Sequence, residues 1–225
     1  MLKGLFSFDN PVIKFFCLIG NLWMLNLLWL VCSLPIFTLG ASTTALVYSC
    51  MKLRQDEGYL FSNFFKSFKE NFRQSTLIWL MYLVVGALIG LGLIFWNNYN
   101  IPGSKLIWAV VIAMAILYVI SVLYVFAIQS KFVNTIKDTI RYSFLIGFSH
   151  LKETIMLVLI VAGVILANLF TVFLVNFVTL NIGMSFVVYW MSAHYQKIFE
   201  KYIPKQEYPD DDYWVCEEAP KEDAE

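Results

Sequence analysis

The chain is short of charge, and what it has is unevenly spread. Asp, Glu, Lys and Arg make up 14% of its 225 residues, against about one quarter in soluble domains. Four runs of twenty or more residues contain none of them: 15–37, 77–96, 106–128 and 154–177. Proline is also scarce, and of the six only Pro35 interrupts an apolar run. The four cysteines show no C-x-x-C pairing, which excludes the usual disulfide or zinc frameworks and leaves them as small hydrophobes. There are two histidines, too few and too far apart in sequence to be argued into a metal site. H-E-x-x-H, G-x-S-x-G and phosphate-binding glycine loops are all missing. Ionisable groups inside the apolar runs, which proton or ion coupling normally requires, are missing too, except for His194 near the end of the last run. These absences argue against an enzyme and against any cofactor or metal.

What is present is hydrocarbon: 60% hydrophobic and 17% aromatic residues. Each charge-free run is long enough to cross about 30 Å of hydrocarbon at about 1.5 Å per residue. A fifth, 181–196, reaches that length if Lys197 snorkels to the interface. The expected fold is therefore all-α, a polytopic membrane helical bundle with five transmembrane helices. A sixth, short or re-entrant, is expected at 36–53, and two basic amphipathic connectors join the spans. The lipid bilayer is the first partner, and nothing calls for nucleic acid. Residues 1–204 read as one membrane-integral domain, and 205–225 as an acidic tail, with nine Asp or Glu from Glu207 onward.

Basic residues mark the cytoplasmic side. They concentrate in the connectors at 52–73 and 131–152 and in the C-terminal segment, which puts the C-terminus in the cytoplasm of a multi-pass cell-membrane protein. If 15–37 crosses once and the chain does not return, thirteen of the sixteen basic residues lie inside; if it turns at Pro35 and 36–53 crosses back, fifteen of sixteen do. Charge favours the return, although that segment carries Thr38, Ser42, Thr43, Thr44 and Ser49. Hydroxyls bonded to their own helix lower that cost.

Several positions invite specific readings. Asn21 and Asn26 are the amides of the first run; they and Asn168 suit interhelical hydrogen bonding or, alternatively, contact with a ligand. Pro35 should end or kink the first helix, after which Thr38 or Ser42 can cap a new one and Gly40 permits close approach of a neighbour. A helix N-terminus among hydroxyls could meet an anionic or sugar-like ligand, or serve as a small-residue packing seam. In 61–74, Phe61, Phe64, Phe65, Phe68 and Phe72 share one face, and Lys66, Lys69 and Arg73 another. That is the pattern of a helix seated at the inner interface, whose cations face lipid phosphates or a partner. Lys137 and Arg141 repeat the arrangement in the second connector. Gly86 and Gly90 have G-x-x-x-G spacing, a close-packing signal.

The run Asn21, Leu22, Trp23, then Leu34, Pro35, Ile36, Thr38, Gly40, Ala41, Ser42, Thr43, Thr44 and Ala45 resembles the N-terminal signature of the YesL family of bacterial membrane proteins. The segment from Phe64 to Thr76 is similar to its second block, so the likeness covers about 15–80. The resemblance implies a domain of unknown function, often encoded beside carbohydrate ABC transporters, two-component sensors and glycoside hydrolases. It carries no active residues. Its implied role is accessory or regulatory in oligosaccharide uptake, with transporter or sensor subunits as partners. A small-solute or sugar permease lined by Asn21, Asn26, Thr43, Thr44 and Asn168, or a membrane sensor, stands as the alternative. Homo-oligomerisation is left open.

Overall fold

The computed structural model describes residues 11–55, 59–98, 104–170 and 182–202. Seven α-helices are described: α1 (Pro11–Ser33), α2 (Leu39–Arg54), α3 (Leu60–Asn98), α4 (Ser104–Lys131), α5 (Ile136–Ser149), α6 (Leu151–Phe170) and α7 (Met184–Phe199), with a 3₁₀ turn at Ile36–Thr38 before α2. No strand occurs among the described residues. The all-α bundle matches the sequence pattern. The segment before Pro11, residues 56–58 and 99–103, Asn176, Asn181, the boundary at 204 and the acidic tail lie outside the described residues.

Pro35 acts as its chemistry demands. α1 stops at Ser33, and the chain turns through residues 34–38 into α2. The Thr38 hydroxyl donates to the carbonyls of Cys32 and Pro35, both at 2.6 Å, so carbonyls freed at the break are satisfied locally. The expected hydroxyl cap of α2 does not form: Thr38 occupies the N-cap position with its side chain turned back to the end of α1. α2 then returns alongside α1. Trp29 Nε1 donates to Thr43 Oγ1 at 3.2 Å, and the Ser33 and Ser42 hydroxyls share a 2.6 Å bond.

α2 is the centre of the bundle, with α1, α3, α4 and α7 packed on it. Of the apolar window in Ile36–Arg54, 61% is buried inside the protein, against 6 to 17% for the other four helices long and apolar enough to cross a membrane, α1, α3, α4 and α6. Gly40 makes the α2–α3 contact possible. A Cβ there would run into the Ser75 carbonyl oxygen and stand 2.6 Å from Trp79 Cβ. Thr44 bonds both the Gly40 carbonyl (2.9 Å) and Ser75 Oγ (3.0 Å) across the same seam.

Two features differ from the sequence expectation. The first connector is not a separate interfacial helix: α3 runs unbroken for 39 residues from the phenylalanine-rich stretch through the apolar run. It contains no proline, and its first glycine is Gly86, so nothing stops propagation. Phe64 is fully buried and packs with Phe68 against α2, while Phe61 and Phe65 stay exposed. At about 58 Å the helix is nearly twice the hydrocarbon thickness. Its charged first half and its uncharged second half therefore cannot share one hydrocarbon layer. The second difference concerns the last span. α7 has 16 described residues, as many as α2, but the 3₁₀ turn lengthens the α2 segment to 19, so among the described residues the fifth long apolar helix is Ile36–Arg54, while the expected span 181–196 begins outside them.

α3 and α4 pair antiparallel. Tyr118 Oη donates to the Tyr82 carbonyl at 3.0 Å, and the hydroxyls of Tyr82 and Ser121 are bonded. Gly86 lies under the Tyr118 ring, and Gly92 faces Val111. Gly90 has nothing within 4 Å of its Cβ position among the described residues, so among them the G-x-x-x-G spacing is not used as a pair. Beyond Trp79 this helix pair is sheathed in exposed Leu80, Leu83, Val84, Leu88, Leu91 and Ile94, as suits a lipid-facing surface.

Gly40→Ala should lower the thermal midpoint of the detergent-purified protein, the overpacking costing about 1–3 kcal/mol. Gly90→Ala should leave it unchanged or raise it, since alanine is the better helix former by up to about 1 kcal/mol. Equal loss in both variants would contradict the helix contact described.

Candidate functional site

The polar side chains of the apolar helices are mostly spent on other helices. Asn26 is fully buried on α1, and its Oδ1 accepts from Ser185 N, in the first turn of α7, at 3.2 Å. The Ser185 hydroxyl donates to the Leu22 carbonyl at 2.6 Å. Thr38, Ser42 and Thr44 are buried in the bonds given above. Asn21 is half-buried. Asn168 Nδ2 donates to the Val164 carbonyl of its own helix at 2.8 Å. These residues do not converge: only Thr43 and Asn168 border a common space.

That space is a half-enclosed cavity of about 820 Å³. Its wall combines Trp29, Thr43, Trp79, Phe126, Val161 and Val187 with further aliphatic residues of the same helices. α6 makes its main contacts with α5 and α7, and the gap it leaves toward α1 and α2 is the cavity. The ring donors at the wall are already bonded: Trp29 Nε1 to Thr43, Trp79 Nε1 to the Ile36 carbonyl at 2.9 Å, and Tyr195 Oη to the Leu123 carbonyl at 2.6 Å.

A second polar group of contacts lies where α6 meets α7. Glu153 accepts from Lys197 Nζ at 3.0 Å and is 2.5 Å from His194 Nδ1. His194 was visible in the sequence as an isolated histidine, but its carboxylate partner, 41 positions away, was not. On the other side of α7, Arg54 donates to Ser192 Oγ (3.2 Å) and to the Tyr189 carbonyl (2.8 Å), with its guanidinium 4.3 Å from the Tyr189 ring centre.

The basic residues lie on the outside. Lys66, Lys69 and Arg73 on α3, and Lys137 and Arg141 on α5, are all exposed. A buried joint connects the two helices. Gln129 Nε2 donates to Asn71 Oδ1 at 3.0 Å, Thr139 Oγ1 donates to Gln129 Oε1 at 3.2 Å, and Gln74 Nε2 donates to the Asn134 carbonyl at 2.6 Å. The joint brings the two connectors to the same end of α4, and Arg73, Lys131 and Lys137 are each within two positions of one of its residues. Thr135 is the N-cap of α5: its hydroxyl accepts from Asp138 N at 3.3 Å and donates to the Asp138 carboxylate at 2.6 Å, which fixes the helix start.

Asn26→Leu should lower the thermal midpoint by leaving the Ser185 N–H without its acceptor, a loss of about 1–3 kcal/mol. Asn168→Leu should change it little, because that amide bonds only its own helix. Comparable losses in the two variants would show that Asn26 has no special tertiary role.

No curated protein and no solved structure matches the chain. Residues 22–93 match the family described as "Protein of unknown function, DUF624". That segment runs from the second half of α1 through α2 into the lipid-facing part of α3. The similarity is therefore to an uncharacterised family, over the seam at Gly40 and the helix on which the others pack.

Proposed function

We propose that the chain is a non-catalytic integral membrane protein acting as an accessory or regulatory component of oligosaccharide uptake in a bacterial cell membrane. In this reading the C-terminus is cytoplasmic, and the basic surface of α3 and α5 meets transporter or sensor subunits. One observation carries the reading: exposed cations lie on both connectors, which Gln129 ties together through Asn71 and Thr139, whereas the buried polar side chains turn inward to bond neighbouring helices. Charged surfaces of this kind guide association and partner choice. The carbohydrate context comes from the likeness to the YesL family. An autonomous sugar permease is the weaker reading. A sugar moving through the bundle would need polar groups to replace its hydration, yet Asn26, Thr38, Ser42 and Thr44 are engaged with the protein itself.

The test is crosslinking in native membranes of cells grown on an oligosaccharide, with a photoreactive residue at Lys66 or Lys137. Transporter or sensor subunits should be captured, and Lys137→Glu with Arg141→Glu should reduce that capture roughly tenfold, about 1.4 kcal/mol of affinity. Capture of only the chain itself would overturn the accessory role and favour the permease.

A further inference from the structure

The cavity between α6 and the central helices has a chemistry distinct from the surface proposed for partners. Its wall is formed by α7 together with residues from α1, α2, α3, α4 and α6, which among the described residues are the five helices long and apolar enough to cross a membrane, so the cavity lies between apolar spans. Its volume lies toward the upper end of the roughly 300–1,000 Å³ typical of small-molecule sites. Along α2 it extends from Leu39 to Val47, and along α6 from Val161 to Leu169, about 12 Å on each helix.

Three kinds of filling can be compared. Water needs two to four polar partners, and the indole and phenol donors at this wall already have acceptors, which leaves the Thr43 hydroxyl and part of the Asn168 amide among mainly aliphatic and aromatic side chains. A sugar would give up hydration without replacement. A hydrocarbon chain needs no hydrogen bond and gains contact with the indole, phenyl and aliphatic side chains around it. We propose that the cavity is a binding site for an acyl chain of a membrane lipid, entering sideways from the bilayer. This goes beyond the accessory role and does not rest on it, because the site is defined by its lining and not by any protein partner.

The experiment uses the full chain in lipid nanodiscs containing a phosphatidylglycerol with a photoreactive diazirine in one acyl chain, and adducts are mapped by peptide mass spectrometry. Leu88 and Leu91, both 65% exposed on α3, report ordinary bilayer contact. Adducts at Val164 and Val187 should saturate and be displaced by unlabelled phosphatidylglycerol. Adducts at Leu88 and Leu91 should instead follow the labelled fraction of the bilayer. Val164→Phe with Val187→Phe should lower the remaining cavity adducts roughly tenfold and leave those at Leu88 and Leu91 unchanged. The saturation measurement needs no variant, so the proposal stays testable if the double variant fails to fold. Cavity adducts that never saturate, or none at all, would overturn it. So would displacement by a free polyprenol but not by the phospholipid. Capture of partner subunits is read separately, so failure of the accessory role would leave these adducts unaffected.

Discussion

A helix that cannot face lipid has to be covered by protein, and this bundle is arranged around one. α2 carries Thr38 at its entry and Ser42, Thr43, Thr44 and Ser49 along its length, and all but Thr43 are buried. Self-bonding of hydroxyls to carbonyls of the preceding turn answers part of the cost, as Thr44 does with Gly40. Neighbours answer more of it, Ser33 for Ser42 and Ser75 for Thr44, while the buried Ser49 hydroxyl has no hydrogen-bond partner among the described residues. Gly40 follows from the same constraint, since a hydroxyl-to-hydroxyl bond between helices requires their backbones to come close. The outer helices are free of that demand and expose their leucines, valines and isoleucines.

Covering α2 also explains how α3 is divided. Its first half is amphipathic because one side lies on α2 and the other carries Lys66, Lys69 and Arg73. Its second half leaves that neighbour and pairs with α4 alone, so apolar side chains occupy most of its circumference. The same division holds in α4, where the stretch before Ile120 is largely exposed and apolar, while Ser121, Tyr124, Gln129 and Ser130 are buried among α3, α5 and α7. One long helix pair thus serves two environments, and the change falls near Trp79 on α3 and Ile120 on α4.

Much of this was legible in the sequence because it is a matter of period and length. Charge-free runs gave away the long helices, Pro35 the turn, and Gly40 the close approach. Two things were hidden. Helix continuity depends on the absence of a breaker rather than on any signal, and the change of composition at Gln74–Leu77 resembles a boundary although no backbone feature makes one. Pairing across the fold is also invisible: Asn26 and Ser185 are 159 positions apart, and nothing local distinguishes Asn26, which satisfies α7, from Asn168, which bonds its own helix. Gly86 and Gly90 show the same limit. Their spacing is shared, yet only Gly86 meets a neighbour, because the position of Tyr118 on α4 decides which glycine is needed.

A bundle that commits its polar side chains to holding helices together has few left to face a solute. Ser185, Asn26, Thr44, Ser75, Ser121 and Ser143 each bond another helix, and the spaces between helices are consequently lined by carbon. A polar conduit through this fold would have to break bonds whose buried partners would then go unsatisfied, at about 1–3 kcal/mol for each. Opening the gap beside α6 to hydrocarbon breaks none.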